Sequence, residues 1–122
     1  MKLITKEILE KLPLLKDLED PATMQTKVPL KLFNPMGSAT WFILAIDGQT
    51  KAINQHTILY GVCCIYEPEF GSVSLQELKA IQLPFGLGIE RDIHWSVDRD
   101  LNAVNEYLKM YGYGSIDFIA TR

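Results

Sequence analysis

Cysteine is scarce in this chain of 122 residues, basic side chains are outnumbered, and no long apolar run occurs. The only two cysteines, Cys63 and Cys64, are adjacent. On a strand, neighbouring side chains point to opposite faces, so a disulfide between them would be strained and would close no loop. They read as two small buried thiols of a reducing compartment. No C-x-x-C or H-E-x-x-H spacing occurs, and His56 and His94 are far apart in sequence, so the sequence implies no metal site. Twelve basic against 15 acidic residues give a net charge of -3. Direct nucleic-acid binding and docking on an anionic membrane are both disfavoured by that balance. The N-terminal segment is broken by Lys6, Glu7, Glu10 and Lys11, which leaves neither a signal peptide nor a membrane span, so a cytoplasmic location is expected.

Common nucleotide and nucleophile motifs are missing too. Gly86-Leu87-Gly88 lacks the Gly-Lys-Ser/Thr of a phosphate loop and the third glycine of a dinucleotide fingerprint, so these glycines read as turn residues. No G-x-S-x-G occurs. Nothing in the sequence calls for a cofactor.

What is present is a composition with 48% hydrophobic residues, enough for one domain with a real core. Thr5 can cap a short helix carrying Ile8, Leu9, Leu12 and Leu15, which Pro13 ends or kinks. Asp20-Pro21, Val28-Pro29 and Asn34-Pro35 make the following stretch irregular, with a short strand near Lys31 to Phe33. TWFILAI (40–46) and TILYGVCCIY (57–66) read as strands of an antiparallel pair. Residues 67–71 read as a turn, and Ser74 with Glu77 forms a capping box opening a helix on Leu75, Leu78 and Ile81. Ile89 to Trp95 alternates as a strand. A final helix is capped by Asp98 or Asp100, buries Leu101, Val104, Leu108 and Tyr111, and stops at Gly112. Ser115 to Ala120 adds a candidate edge strand. The expected fold is α+β: a small antiparallel sheet of about four to five strands with short flanking helices and a C-terminal amphipathic helix. One domain is expected over 1–122, with an N-terminal helix and irregular arm (1–30), a sheet-containing core (31–95), the C-terminal helix (98–112) and a tail (113–122).

Candidate functional residues cluster in two places. Alternation along 89–95 would put Glu90, Asp92 and His94 on one face, either as an ordinary solvent-facing polar edge or as a group that could move a proton or hold an oxygen-liking cation. Arg91 falls on the other face and needs a partner, for which Glu67 and Glu69 are the right type. Trp41 anchors the core or lines a groove.

Several stretches resemble a bacterial family catalogued as domain of unknown function 2958. They are Lys31-Leu32-Phe33, Pro35, Gly37, Ala39-Thr40-Trp41, Pro68-Glu69-Phe70-Gly71, Ser74-Leu75, Glu77-Leu78 and Pro84-Phe85-Gly86-Leu87, then Ile89 to Asp92. The likeness spans roughly residues 12 to 95. One departure is Ala45, four positions beyond Trp41, where the family usually carries an acid. The resemblance implies a neighbourhood of plasmids, integrative elements and phages, among antirestriction genes, without an agreed activity. The expected function is therefore a non-catalytic interaction protein that engages a host or defence protein. The alternative is a small hydrolase or ligand sensor using the Glu90/Asp92/His94 face. A protein partner is expected, and a second copy could pair at an exposed sheet edge.

Overall fold

A computed structural model describes residues 1–19 and 22–114. The proposed edge strand at 115–120 and the Asp20-Pro21 step lie outside the described residues.

The chain opens with α1 (Lys6–Lys11), whose N-terminus is capped by the Thr5 hydroxyl accepting from the Ile8 amide at 3.2 Å. Pro13 follows immediately and stops it, as expected from its missing N–H. Then come β1 (Leu30–Phe33), β2 (Thr40–Ile46), β3 (Ile58–Cys64) and β4 (Pro68–Ser74), followed by α2 (Leu75–Ala80), β5 (Glu90–Arg91) and α3 (Leu101–Met110). The pairings among these five strands are antiparallel, and the sheet order is β4-β3-β2-β1-β5.

Helices cover both faces of this sheet, which is why the central strand reads as an unbroken apolar run. Every residue of β2 is buried. Trp41, Ile43 and Ile46 join Leu30, Leu32 and Leu59 under Ile8 of α1 and Leu75 and Leu78 of α2. Phe42, Leu44 and Ala45 join Val62, Cys64 and Phe70 under Leu101, Val104 and Leu108 of α3.

Leu44 and Ala45 share a face because β2 carries a bulge: Ile43 pairs Gly61, Ala45 pairs Tyr60, and Leu44 is the extra residue. The bulge returns Ile46 to the face of Ile43. It also brings the backbones so close that a Cβ on Gly61 would lie 1.9 Å from the Phe42 carbonyl oxygen. Only glycine fits there.

Four expectations need correcting. Residues 67–71 are not a turn. β4 begins at Pro68 and pairs with β3 over seven residue pairs from Cys64–Pro68 to Ile58–Ser74; proline is tolerated because it opens an edge strand. The strand read at 89–95 is only Glu90–Arg91, because Asp92 turns the chain: its side chain accepts from the His94 amide at 2.9 Å and its carbonyl from the Trp95 amide at 3.2 Å. Ile81 and Tyr111, placed on buried stripes, are 37% and 60% exposed, since each lies just past the end of its helix. The reading of the 86–88 glycines as turn residues holds at Gly86, which takes a positive φ of 74°, and the exposed Phe85 beside it also does, at 65°.

The capping signals were sound. Ser74 accepts from the Glu77 amide at 3.2 Å, and Asp100 from the Ala103 amide at 3.0 Å. The remaining amides at the start of α3 are engaged from outside, with Leu101 donating to the Thr26 carbonyl and Asn102 to that of Met24. At the far end, Gly112 donates to the Lys109 carbonyl and Tyr113 to that of Leu108, with Gly112 at φ 78°. This closing turn is a Schellman motif, and it fixes where Tyr111 and Tyr113 emerge.

Candidate functional site

Alternation along β1 sends Leu30 and Leu32 to the face of α1 and α2, and Lys31 and Phe33 to the face of α3. Lys31 thus enters a largely apolar layer. Its ammonium lies 4.2 Å from the ring centroid of Tyr107, 5.8 Å from Trp95 and 5.9 Å from Phe42. The rings hold one another: Phe42 sits 5.4 Å from Trp95 and 5.2 Å from Tyr107, and the Trp95 indole donates to the Val28 carbonyl at 2.8 Å. Each cation–ring contact is worth about 0.5 to 2 kcal/mol, depending on how much water is excluded.

A lysine in such a layer needs a counter-charge, and Asp92 supplies it at 3.0 Å. The Lys31 side chain is 11% exposed and that of Asp92 21%. The pair is tied a second time through the backbone, where the Asp92 amide donates to the Lys31 carbonyl at 2.9 Å. Burial pushes the Asp92 carboxyl upward. The hydrogen bonds from Lys31 and the His94 amide, with the nearby positive charges, outweigh it and hold the group below its ordinary value.

Two open cavities share this pair as a wall. One, of about 410 Å³, runs toward α1 and is bordered by Thr5, Glu7, Arg91, Ser96 and Asp98. The other, of about 350 Å³, lies between the β1–β2 connection and the end of α3. It is lined by Phe33, Asn34, Gly37, Ser38 and Thr40, and by Tyr107, Tyr111 and Tyr113, three of the chain's five tyrosines.

The residues singled out from sequence fall in different parts of the molecule. Glu69 lies on β4 and Glu67 just before it, at one edge of the sheet; Glu90 and Arg91 form β5 at the other. Four inter-strand steps separate those edges, about 19 Å at the usual spacing. Arg91 is partnered not by Glu67 or Glu69 but by the carbonyl of Lys2 in the N-terminal arm. Glu90, Asp92 and His94 do not line up on one strand face, because the chain turns at Asp92. Trp41 is 6% exposed and packs in the core under α1 and α2. Only Asp92 belongs to the aromatic site. Among the described residues, no group of His, Cys, Asp or Glu is placed to hold a metal ion, and no helix is long and apolar enough to cross a membrane.

Cys63 and Cys64 do face opposite ways, Cys63 toward the layer of α1 and α2 and Cys64 into that of α3. Burial raises their thiols, that of Cys63 to about 11 with help from Glu69, and that of Cys64 to about 12 with help from Cys63. Neither is a thiolate at neutral pH.

A family model described as a protein of unknown function (DUF2958) matches residues 3–113. The chain belongs to the DUF2958 family. No curated protein and no solved structure matches it. The match is longer than the 12–95 read from motifs, and it takes in α3 together with Tyr107, Tyr111 and Tyr113. Ala45 is fully buried beneath α3 in this chain.

Sequence reasoning missed Lys31, Tyr107 and Tyr113 as site residues. A signal existed: a lysine alternating with Leu30, Leu32 and Phe33 must face a covered layer if both faces are covered. Tyr107, Tyr111 and Tyr113 follow one another at the close of a helix. What neither pattern shows is that β1 and α3 meet.

Proposed function

We propose that this chain is a non-catalytic interaction protein whose recognition surface is the tyrosine-lined groove between the β1–β2 connection and the end of α3. The observation that carries the reading is the convergence of Tyr107, Tyr111 and Tyr113 around a cavity of about 350 Å³ walled on one side by a held Lys31–Asp92 pair. Tyrosine is enriched in the centres of protein interfaces because it offers rigid, amphipathic contact area with few rotatable bonds. Tyr111 is 60% exposed on the rim, and the neighbouring Met110 and Met36 are exposed as well. Together with the mobile-element setting that the motif resemblance implies, the reading extends to a cytoplasmic host or defence protein as the partner.

Affinity purification of the tagged full chain from its native host, followed by mass spectrometry, tests this. The expected result is one stoichiometric protein that is lost with a folded Tyr111→Ala/Tyr113→Ala variant. Retention of the same protein by that variant would remove the groove from the interaction, and recovery of no protein would remove the interaction itself.

A further inference from the structure

The hydrogen-bonding inventory of the groove is lopsided. Asp92 accepts from Lys31 through Oδ2 and from the His94 amide through Oδ1, and Asn34 Oδ1 accepts from the Met36 amide at 2.8 Å. Each of those oxygens already accepts one hydrogen bond inside the protein. Lys31 has three N–H bonds and spends one side-chain hydrogen bond, on Asp92. Among the described residues, the Asn34 amide nitrogen, the Ser38 hydroxyl and the hydroxyls of Tyr111 and Tyr113 have no hydrogen-bond partner. A cavity whose spare groups can all donate, with a lysine on its wall and aromatic rings at its rim, is complementary to an acceptor-rich end carried beside a flat apolar body.

We propose that the groove captures an acidic side chain, flanked by an aromatic residue, presented by the partner protein; this rests on the interaction reading above. The carboxylate takes the free N–H bonds of Lys31 with Asn34 and Ser38, and the aromatic neighbour lies against Tyr111 and Tyr113. Asp92 then has two opposed effects. It holds Lys31 in place, and its own charge repels the incoming carboxylate. Replacing it by Asn keeps an oxygen for the His94 amide, frees a lysine N–H and removes the repulsion. The variant should therefore bind an acidic ligand more tightly than the natural protein, a sign that a purely structural role for the pair would not produce.

The test is a titration of the isotopically labelled full chain with the capped dipeptides Ac-Phe-Glu-NH2, Ac-Phe-Gln-NH2 and Ac-Phe-Lys-NH2, read by the NMR shifts of groove residues. Expected is Glu tighter than Gln by about fivefold or more, with no binding of Lys, since a hydrogen bond to a charged acceptor outweighs a neutral one. Asp92→Asn should tighten the Glu peptide several-fold and leave the Gln peptide nearly unchanged. Lys31→Met, checked for folding by circular dichroism, should abolish the preference for Glu. Equal shifts from Glu and Gln, or weaker Glu binding by Asp92→Asn, would overturn the acidic class while leaving the groove as the recognition site. No groove shifts from any peptide would overturn it too, and the copurification with Tyr111→Ala/Tyr113→Ala would still judge the interaction reading on its own.

Discussion

The two faces of the sheet are built from different chemistry. Beneath α1 and α2 the layer is mainly Leu and Ile with Trp41. Beneath α3 the layer contains Phe42, Val62 and Cys64, but toward its end it takes in Lys31, Asp92, Trp95 and Tyr107. Burying a lysine is costly unless it is paired, and a leucine at position 31 would have filled the space without that cost. One face is organised for packing, whereas the other carries a polar device beside an open groove. The second face is where functional effects of substitution should appear without loss of fold.

The strongest way to break this contrast is to disturb what both faces depend on. Gly61→Ala places a methyl group against the Phe42 carbonyl, in the backbone of the central strand, where no flexible side chain can yield. We expect a loss of about 3 kcal/mol or more, enough to unfold much of the population, measured by urea denaturation. A well-folded Gly61→Ala protein would mean that the bulge can relax and that the two layers are less tightly coupled than their shared strand implies.

Core truncation then compares the faces directly. Ile43→Ala and Phe42→Ala remove neighbouring, fully buried side chains on opposite sides of β2, and each should cost about 2 to 5 kcal/mol. Only Phe42→Ala should also broaden or shift the NMR signals of Lys31 and Tyr107, whose ring lies 5.2 Å from Phe42. Equal disturbance by both would blur the distinction.

Removing the ion pair should matter less. Lys31→Met retains an aliphatic stem against the rings and is expected to cost about 1 kcal/mol or less, given that the pair is partly solvated. The pH dependence carries a definite sign. Because the Asp92 carboxyl lies below its ordinary value of 3.8 in the folded protein, the pair contributes fully above that value and its contribution is lost as pH falls through the depressed one. Between neutral pH and acid, denaturation curves of the natural protein should converge on those of Lys31→Met. A constant difference across that range would mean that the lysine acts only through packing.

The smallest effect is chemical. With their pKa values raised to about 11 and 12, Cys63 and Cys64 should react very slowly with a thiol reagent at pH 8 in the native protein. Both should react on unfolding. Fast labelling of Cys63 alone would show that the α1/α2 layer opens locally beside it, the reverse of the contrast drawn here.

Local chemistry was readable in advance where a residue acts on its own backbone. Thr5, Ser74 and Asp100 cap their helices through side-chain oxygens, Pro13 ends α1 and Gly112 closes α3. The bounds of β2 at Thr40–Ile46 matched because a run of apolar, β-branched and aromatic residues ended by Asp47-Gly48 admits few other conformations. Reading failed where tertiary pairing overrode local preference. Pro68 and Gly71 look like turn residues, yet β3 offers a complete partner and draws them into β4. Glu90 to His94 looked like a strand face, but the turn at Asp92 took it apart.

The candidate site follows the same division. Residue types and short spacings determined the helix ends, the central strand, the opposite directions of the two thiols and, through matching motifs, the family. They act within a few residues, so they need no knowledge of the rest of the chain. The tertiary structure alone decided that β1 and β4 lie on either side of the β2–β3 pair, that α3 crosses the face carrying Lys31, and that Asp92, 61 residues downstream, meets that lysine. Such contacts are selected by which apolar stripes can be buried together, a property of the whole sheet and the helices packed on it rather than of any segment.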